Sequence, residues 1–356
     1  MSTTSATAVP PFRVESATPA SRAAAVVGLL LLAVLATAPA WGGSGFMKLL
    51  IEFFTLLALA QMWNLLAGYA GLVSIGQQAF VGLGAYGLFV GTDRLGLHPL
   101  LAIPVLAAVI ALIALATSLF AFRLHGGYFA IGTWVIAEVF RILVSGAKEV
   151  GAGNGVTIQG AAFLGPQGRL ALTYWLALGV GFGSVILVAW IMRSRLGLAL
   201  RALRDSEAGA ESLGIDVFRT KLAVYLIASV GCAVAGAIIY LSLLRIQPNA
   251  AFSVDWTARM IFIVIIGGLG RIEGPIVGAL VFIGLRETLA DFGSLYLVIL
   301  GVVAIGLTLL APRGLWGLFV ARFPMVSFGA QPRLVMGAQT PGGAGPPPGT
   351  TPTEVA

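Results

Sequence analysis

The chain consists of long apolar runs separated by short polar segments. A helix that crosses a bilayer needs about 20 predominantly apolar residues, and runs of roughly this length follow one another along the sequence. Only 10% of the residues are charged, whereas soluble domains carry about 25%, and the mean hydropathy is +0.98. The pattern predicts an all-α polytopic membrane protein. The runs cover residues 24–40, 46–66, 72–90, 100–122, 128–144, 170–192, 222–244, 260–285 and 295–310.

The eighth run is interrupted at residues 267–275 by the sequence Gly-Gly-Leu-Gly-Arg-Ile-Glu-Gly-Pro. Irregular backbone does not face lipid inside the hydrocarbon region. We therefore predict two short elements, residues 257–266 and 276–287, which a tight turn joins and neighbouring protein shields. This Gly-broken helical hairpin gives about ten membrane elements. Because that number is even, both termini are expected on one side.

The distribution of Lys and Arg predicts the orientation. Thirteen of the 21 lie on the side of the two termini and the other eight on the opposite side. Cytoplasmic segments carry the excess of these residues, so we predict that both termini and the charged loop at residues 193–221 are cytoplasmic. The basic residues stand at the ends of apolar runs, where they orient helices, and this distribution disfavours nucleic-acid binding.

The two ends of the chain differ in composition from the predicted membrane domain, residues 24–318. Residues 1–23 are small and polar, and residues 319–356 end in a Pro-, Gly- and Thr-rich run. Both compositions predict disordered tails. Ala38-Pro39-Ala40 after the first run resembles a signal-peptide cleavage site. We expect an uncleaved first helix instead, because polytopic membrane proteins rarely need a removable signal.

The loop at residues 193–221 is the one long charged segment between apolar runs. Its leucines recur among charges at helical spacing, which predicts an amphipathic helix that ends near Gly214. A helix that only lies on lipid favours basic residues on its polar face. The mixed signs of this loop instead favour a protein partner, although an interfacial helix remains the alternative.

Five stretches resemble the M-type permease of branched-chain amino-acid ABC importers. The loop segment 205–221 (Asp-Ser-Glu-Ala-Gly-Ala-Glu-Ser-Leu-Gly-Ile-Asp-Val-Phe-Arg-Thr-Lys) resembles the coupling loop of that family. It departs from the general Glu-Ala-Ala…Gly motif at Gly209 and Gly214. The other stretches are 63–80 (Trp-Asn-Leu-Leu-Ala-Gly-Tyr-Ala-Gly-Leu-Val-Ser-Ile-Gly-Gln-Gln-Ala-Phe), 127–133 (Gly-Tyr-Phe-Ala-Ile-Gly-Thr), 267–275 and 311–318 (Ala-Pro-Arg-Gly-Leu-Trp-Gly-Leu).

The resemblance implies a transport subunit of the bacterial inner membrane, not an enzyme. Its implied partners are a second, H-type permease, two cytoplasmic ATPases, a periplasmic substrate-binding protein and membrane lipid. The chain has no Gly-x-x-x-x-Gly-Lys-Ser/Thr phosphate loop, so we expect no cofactor on it and ATP on the partners. The 204–214 helix is expected to dock on an ATPase. The expected coupling residues are Arg201, Arg204, Asp205, Glu207, Ala208, Glu211 and Gly214.

Polar residues inside apolar runs are the candidates for a translocation path, because they are costly in lipid. Two Gly-rich breaks, at residues 71–76 and 268–274, occupy matching places in the two halves of the chain. Such breaks point to a central path in transporters, although two unrelated breaks would look the same. The candidates are Asn64, Ser74, Gln77, Gln78, Glu138 and Glu273.

Simpler roles compete with the path for each of these groups. Glu138 is expected to pair with Arg141, Glu273 with Arg271, and Lys48 with Glu52 near the outer edge. The polar residues at positions 64–78 could equally hold helices together. Cys232 is the one cysteine, and neither it nor the histidines have the spacing of a metal site.

Three other functions compete with the branched-chain amino-acid importer. Urea and short-chain amide importers use sister permeases with similar stretches. An ion-coupled secondary transporter would need ionisable groups at mid-membrane, and the carboxylates here stand near helix ends or beside basic residues. A membrane enzyme would need a catalytic set, and the sequence offers none.

Overall fold

The computed structural model describes residues 12–15, 19–160, 162–289, 295–311, 313–322 and 333–336. The helices are α1 (Pro19–Ala36), α2 (Ala38–Trp41), α3 (Ser44–Asn64), α4 (Gln78–Phe89), α5 (Pro99–Ala121), α6 (Gly127–Gly146), α7 (Gly165–Arg193), α8 (Arg195–Asp205), α9 (Glu207–Ser212), α10 (Val217–Leu243), α11 (Pro248–Ala251), α12 (Val254–Gly267), α13 (Gly274–Leu289), α14 (Leu295–Leu310) and α15 (Gly314–Arg322). The π-helical turns Leu65–Tyr69 and Val90–Arg94 extend α3 and α4, and short 3-10 turns cover Lys148–Val150, Ala152–Asn154 and Ala162–Leu164.

Four short strands form two antiparallel pairs. They are β1 (Phe12–Glu15), β2 (Val156–Thr157), β3 (Arg245–Ile246) and β4 (Arg333–Met336), with β1 on β4 and β2 on β3. The expected tails at residues 1–23 and 319–356 lie mostly outside the described residues, and their disorder stays a prediction.

Six stretches of the described chain are long and apolar enough to cross a membrane: Ser44–Tyr69, Pro99–Ala121, Gly127–Gly146, Ala162–Arg193, Val217–Leu243 and Pro248–Gly267. Helices suit this environment because they satisfy every backbone hydrogen bond within the segment. The prediction of an all-α polytopic membrane protein is confirmed. Among the described residues, α1, α4, α13 and α14 are further apolar helices.

The spans divide into interior and peripheral helices. The span that contains α3 is 78% buried and α10 is 61% buried, whereas α5 and α6 are 28% and 17% buried. α3 and α10 therefore form the centre of the bundle. They approach closely at Gly231, where an added Cβ would lie 2.5 Å from the sulfur of Met62.

The crossing of α4 and α10 depends on glycine. A Cβ added to Gly84 would lie 2.0 Å from the carbonyl oxygen of Ala233, and one on Gly236 would lie 2.4 Å from that of Val81. Without side chains at these positions the two backbones pack directly, as is common for small residues between membrane helices.

The predicted hairpin is present, with its turn at residues 268–273 (the glycine turn) between α12 and α13. A Cβ on Gly267 would lie 1.8 Å from the carbonyl oxygen of Gly274, and one on Gly278 would lie 1.9 Å from that of Ile263. The glycines thus allow the two helices to pack backbone to backbone. The sequence predicted the hairpin correctly and placed its helices two to three residues short at most ends.

The fourth helix begins later than predicted. The apolar run at residues 72–90 suggested one continuous helix, but residues 72–77 (the break) are not helical and α4 starts at Gln78. The chain leaves the helical path at Gly71, whose φ is +70°, a conformation that glycine adopts without strain. The Ser and Gln side chains that follow offer hydrogen bonds that replace helical ones.

The charged loop lies at one end of the helix bundle, and the two ends can therefore be told apart. α8, α9, the glycine turn and the start of α15 lie at one end, the loop side, where a Cβ on Gly314 would lie 2.4 Å from the Cα of Gly268. The β2–β3 pair and the end of α4 lie at the far side, where Asp93 Oδ1 accepts from the backbone N–H of Gln159 at 2.7 Å. α3 runs from the far side to the loop side, and α10 runs back.

The predicted Lys48–Glu52 ion pair is wrong. Glu52 of α3 pairs instead with Arg286 of α13, which also binds Glu287 at 2.7 Å. The sequence suggested Lys48 because it stands one helical turn away, whereas the tertiary packing brings the end of α13 against α3.

Gly84→Ala is expected to destabilise the protein, because the new methyl group would meet rigid backbone of α10. Overpacking of this kind costs about 1–3 kcal/mol, which would lower the melting temperature of the detergent-solubilised chain. The matched control is Gly179→Ala in α7, where an added Cβ meets nothing within 4 Å. Equal melting temperatures for the two variants would contradict the packing described here.

Candidate functional site

The break is held by side chains from three helices. Trp63 of α3 donates its indole N–H to the carbonyl oxygen of Ser74 at 2.9 Å. The backbone N–H of Ile75 donates to Thr133 Oγ1 of α6 at 3.3 Å, and that of Gly76 to Ser74 Oγ at 3.2 Å. These bonds satisfy backbone groups that a helix would have paired internally.

Directly after the break, the first residue of α4 is hydrogen-bonded to α12. Gln78 receives a hydrogen bond on Oε1 from the Thr257 hydroxyl, and its backbone N–H lies 3.3 Å from Thr257 Oγ1. α6 and α12 therefore flank the break on its two sides, and we call the resulting surface, with the break as its floor, the groove.

Gln77 contributes an unsatisfied amide to this region. The side chain is fully buried, and its Nε2 lies 3.5 Å from Ser74 Oγ. Its Oε1 has no hydrogen-bond partner among the described residues. A buried amide oxygen without a partner costs free energy.

One face of the break is open. Val73 is 49% exposed and Gly71 is exposed, whereas Leu72 and Ser74 between them are buried. This alternation is that of an extended segment with one covered face. Because non-helical backbone at membrane depth occurs only against protein or water, the open face belongs to a cavity or an interface and not to lipid.

The Glu138–Arg141 ion pair is present on α6, as predicted. Arg141 Nε lies 2.9 Å from both carboxylate oxygens of Glu138, and its Nη1 donates to Asn249 Oδ1 at 2.7 Å. The Glu138 side chain is 44% exposed and the Arg141 side chain is 30% exposed. They stand in the far-side half of the helix, two turns from its end. A role for Glu138 in translocation stays a prediction.

Asn64 connects α3 to the glycine turn. Its Nδ2 donates to the carbonyl oxygen of Arg271 at 2.9 Å, and its Oδ1 accepts from the N–H of Gly270 at 2.8 Å. Gln61, one turn earlier, donates to the carbonyl oxygen of Ile272 at 2.7 Å. Asn64 is fully buried, so its amide serves to hold the glycine turn against α3.

The charged loop contains two helices instead of the single predicted helix at residues 204–214. α8 ends at Asp205, and Ser206, with extended backbone, caps α9 by accepting from the N–H of Gly209 at 3.1 Å. α9 ends before Gly214, whose φ of +78° suits a helix stop. Serine strongly favours the N-cap position, which explains the interruption.

The two loop helices differ in exposure. Along α9, the side chains of Glu207, Ala208 and Glu211 are exposed, while Ala210 packs with Leu203 and Val217. Glu207 also pairs with Lys221 of α10 at 2.6 Å. At the end of α8, Asp205 is exposed and Arg201 is half-buried. Arg204 reaches the glycine turn, where its Nη1 would lie 2.7 Å from a Cβ added to Gly270.

Residues 45–312 match the protein family described as branched-chain amino acid transport system / permease component. The chain belongs to this family. It is therefore a permease subunit of an ABC importer. The match begins at the start of α3 and ends just after α14, so it includes the break, the charged loop and the glycine turn.

Several curated proteins resemble this permease. The high-affinity branched-chain amino acid transport system permease protein LivM of Salmonella typhimurium is 27% identical over 81% of this chain and 74% of its own length. A probable LivM of Methanocaldococcus jannaschii is 26% identical over 45% of this chain and 47% of its own. The ribose import permease protein RbsC of Escherichia coli is 34% identical over 36% of this chain and 42% of its own.

Four residues of the site were not among the sequence candidates: Gln61, Trp63, Thr133 and Thr257. Gln61, Thr133 and Thr257 are polar residues within apolar runs, so the cost of polar groups in lipid was a usable signal. Trp63 and Thr133 also fall inside stretches that carry the family resemblance. Their partners could not be inferred, because the contacts join distant parts of the chain.

Asn64→Leu is expected to destabilise the permease, because it leaves the N–H of Gly270 and the carbonyl of Arg271 unpaired in a buried place. Unsatisfied buried groups cost about 1–3 kcal/mol each. Thermal unfolding in detergent measures the effect, with Asn154→Leu on an exposed 3-10 turn as control. A melting temperature for Asn64→Leu no lower than for the control would overturn this role of Asn64.

Proposed function

We propose that this permease pairs with a second, H-type permease and carries branched-chain or other hydrophobic amino acids across the bacterial inner membrane. The observation that carries the proposal is the family match over residues 45–312. The LivM relative supports it further, since its alignment covers most of both chains. The substrate class is taken from those relatives.

In this proposal the groove is one wall of the translocation path, and the second permease closes it. The open face of the break supports this assignment, because lipid cannot satisfy its backbone. Ser74, Gln77 and Gln78, which are buried in this subunit, would lie beneath the floor. An opening of the path would bring solute to the Oε1 of Gln77, which has no hydrogen-bond partner among the described residues. Glu138 would stand at the far-side mouth, and Asn64 and Glu273 would act from the loop side.

ATP hydrolysis is assigned to two cytoplasmic ATPase subunits, since the sequence has no phosphate loop of its own. α9 is the contact offered to them. It is short and capped, it presents acidic side chains to solvent, and the Glu207–Lys221 ion pair ties it to the start of α10. Movement of α9 would thus reach one of the two central helices of the bundle.

The orientation follows from the same assignment. The loop side is cytoplasmic in this proposal, with both termini, and the far side receives substrate from a periplasmic binding protein. The excess of basic residues on the predicted loop side of the sequence supports it.

A second candidate substrate class is urea or a short-chain amide, and the partial likeness to a ribose permease shows that related chains serve chemically different solutes. Reconstitution of the permease with its H-type partner, ATPases and binding protein distinguishes the classes. We expect ATP-dependent uptake of labelled leucine and isoleucine and no uptake of urea. Uptake of urea alone would replace the amino-acid assignment, and uptake driven by an ion gradient without ATP would refute the importer.

Glu211→Arg is expected to abolish ATP-dependent uptake while the permease still folds, because its side chain is exposed on α9. Reversing a charge at a complementary interface costs several kcal/mol. Uptake into proteoliposomes and co-purification of the ATPases measure the effect. Arg123→Glu is the control, an exposed charge that follows α5 on the same side. Normal uptake by Glu211→Arg would remove α9 from the interface.

A further inference from the structure

The two helices of the charged loop make different contacts. α9 presents its polar side chains to solvent, whereas Arg204 in the last turn of α8, although exposed, lies against the glycine turn. Arg204 therefore makes a contact within the subunit that the side chains of α9 do not make.

The contact of Arg204 with the glycine turn depends on the absence of a side chain at Gly270. A Cβ there would lie 2.7 Å from Arg204 Nη1 and 3.0 Å from the carbonyl oxygen of Gly68. The φ of Gly270 is +71°, which also favours glycine. The turn thus fits between the end of the α3 extension and the guanidinium group of Arg204.

Charges of both signs surround this contact. Glu273, at the end of the glycine turn, is only 5% exposed. The hydroxyl of Tyr69 lies within electrostatic range of Glu273 and of three arginines, Arg201, Arg204 and Arg271. A buried carboxylate is stable only among compensating cations, and two of these cations, Arg201 and Arg204, come from α8.

The glycine turn is firmly connected to the membrane helices. Asn64 and Gln61 hold it to α3 through three hydrogen bonds of 2.7–2.9 Å. Its first residue, Gly268, packs against Gly314 at the start of α15. A displacement of the turn therefore displaces α3, the α12–α13 hairpin and α15 together.

We propose that Arg204 is a positioning residue that couples the charged loop to the glycine turn. When α9 moves with its ATPase, Arg204 carries that movement to the turn and so to α12, which flanks the groove. The inference deepens the proposed function and rests on it. It also gives Arg204, an exposed residue that the sequence suggested as part of the ATPase contact, a contact with the membrane domain of its own subunit.

The first test separates ATP hydrolysis from transport in the assembled importer. Arg204→Gln is expected to lower substrate uptake by about tenfold, within the range of typical coupling between sites, while the ATPases still co-purify and hydrolyse ATP. Arg204→Lys is expected to restore part of the uptake, because it keeps the charge but not the planar fork. The control is Arg195→Gln, an exposed arginine at the start of α8.

Three results of this test would overturn the inference. Wild-type uptake in Arg204→Gln would show that the contact is dispensable. Loss of ATPase co-purification would return Arg204 to the external interface. Loss of uptake in the Arg195→Gln control as well would show a general effect of charge on the loop.

The second test measures the connection directly and needs no nucleotide. Spin labels are placed on Leu198→Cys of α8 and Leu269→Cys, both exposed positions, after the buried native cysteine is removed by Cys232→Ala. In the assembled complex the distance between the labels is expected to be narrowly distributed, and Arg204→Gln is expected to broaden it. An unchanged distribution would refute the connection. If the labels behave as expected but ATP leaves the complex unmoved and no uptake occurs, the proposed function fails and the connection stands.

Discussion

The need to satisfy backbone hydrogen bonds away from water shapes this subunit more than any other constraint. Most of the bundle meets it with helices, but the break at residues 72–77 does not. There the bonds come from Trp63, Thr133 and Thr257, on three different helices. The position of each of those helices is therefore fixed by the break that it supports, and the groove exists because the three are held apart around it.

Glycine performs the complementary task of bringing backbones together. At the α4–α10 crossing and within the α12–α13 hairpin, added Cβ atoms would lie 1.8–2.4 Å from carbonyl oxygens. Membrane helices gain little from the hydrophobic effect against lipid, so such close packing supplies much of their association. The same device at Gly68 and Gly270 brings the π-helical extension of α3 into contact with the glycine turn.

The features that the sequence predicted correctly are those that composition and local pattern determine. The apolar runs gave the helices, and the Gly-Pro interruption gave the hairpin and its turn. The Gly-rich break at residues 71–76 was recognised, but the helix was still drawn through it, because an apolar run of this kind has no periodicity that separates helix from extended chain. Its partners could not be predicted, since two of them lie 58 and 179 residues away in sequence. For the same reason Glu52 was assigned to Lys48 instead of Arg286. Ser206 is a residue type that favours the N-cap position. The helical spacing of the leucines on both sides of it nevertheless favoured a single helix through this position.

The open face of the break also bears on how much of this subunit a cell can hold. In the proposed pairing, a copy without the second permease would expose the non-helical backbone beside Val73 and Gly71 to the bilayer, where each unsatisfied polar group costs several kcal/mol. Unpaired copies would then be less stable than paired ones, and the abundance of this chain would follow that of the proposed second permease.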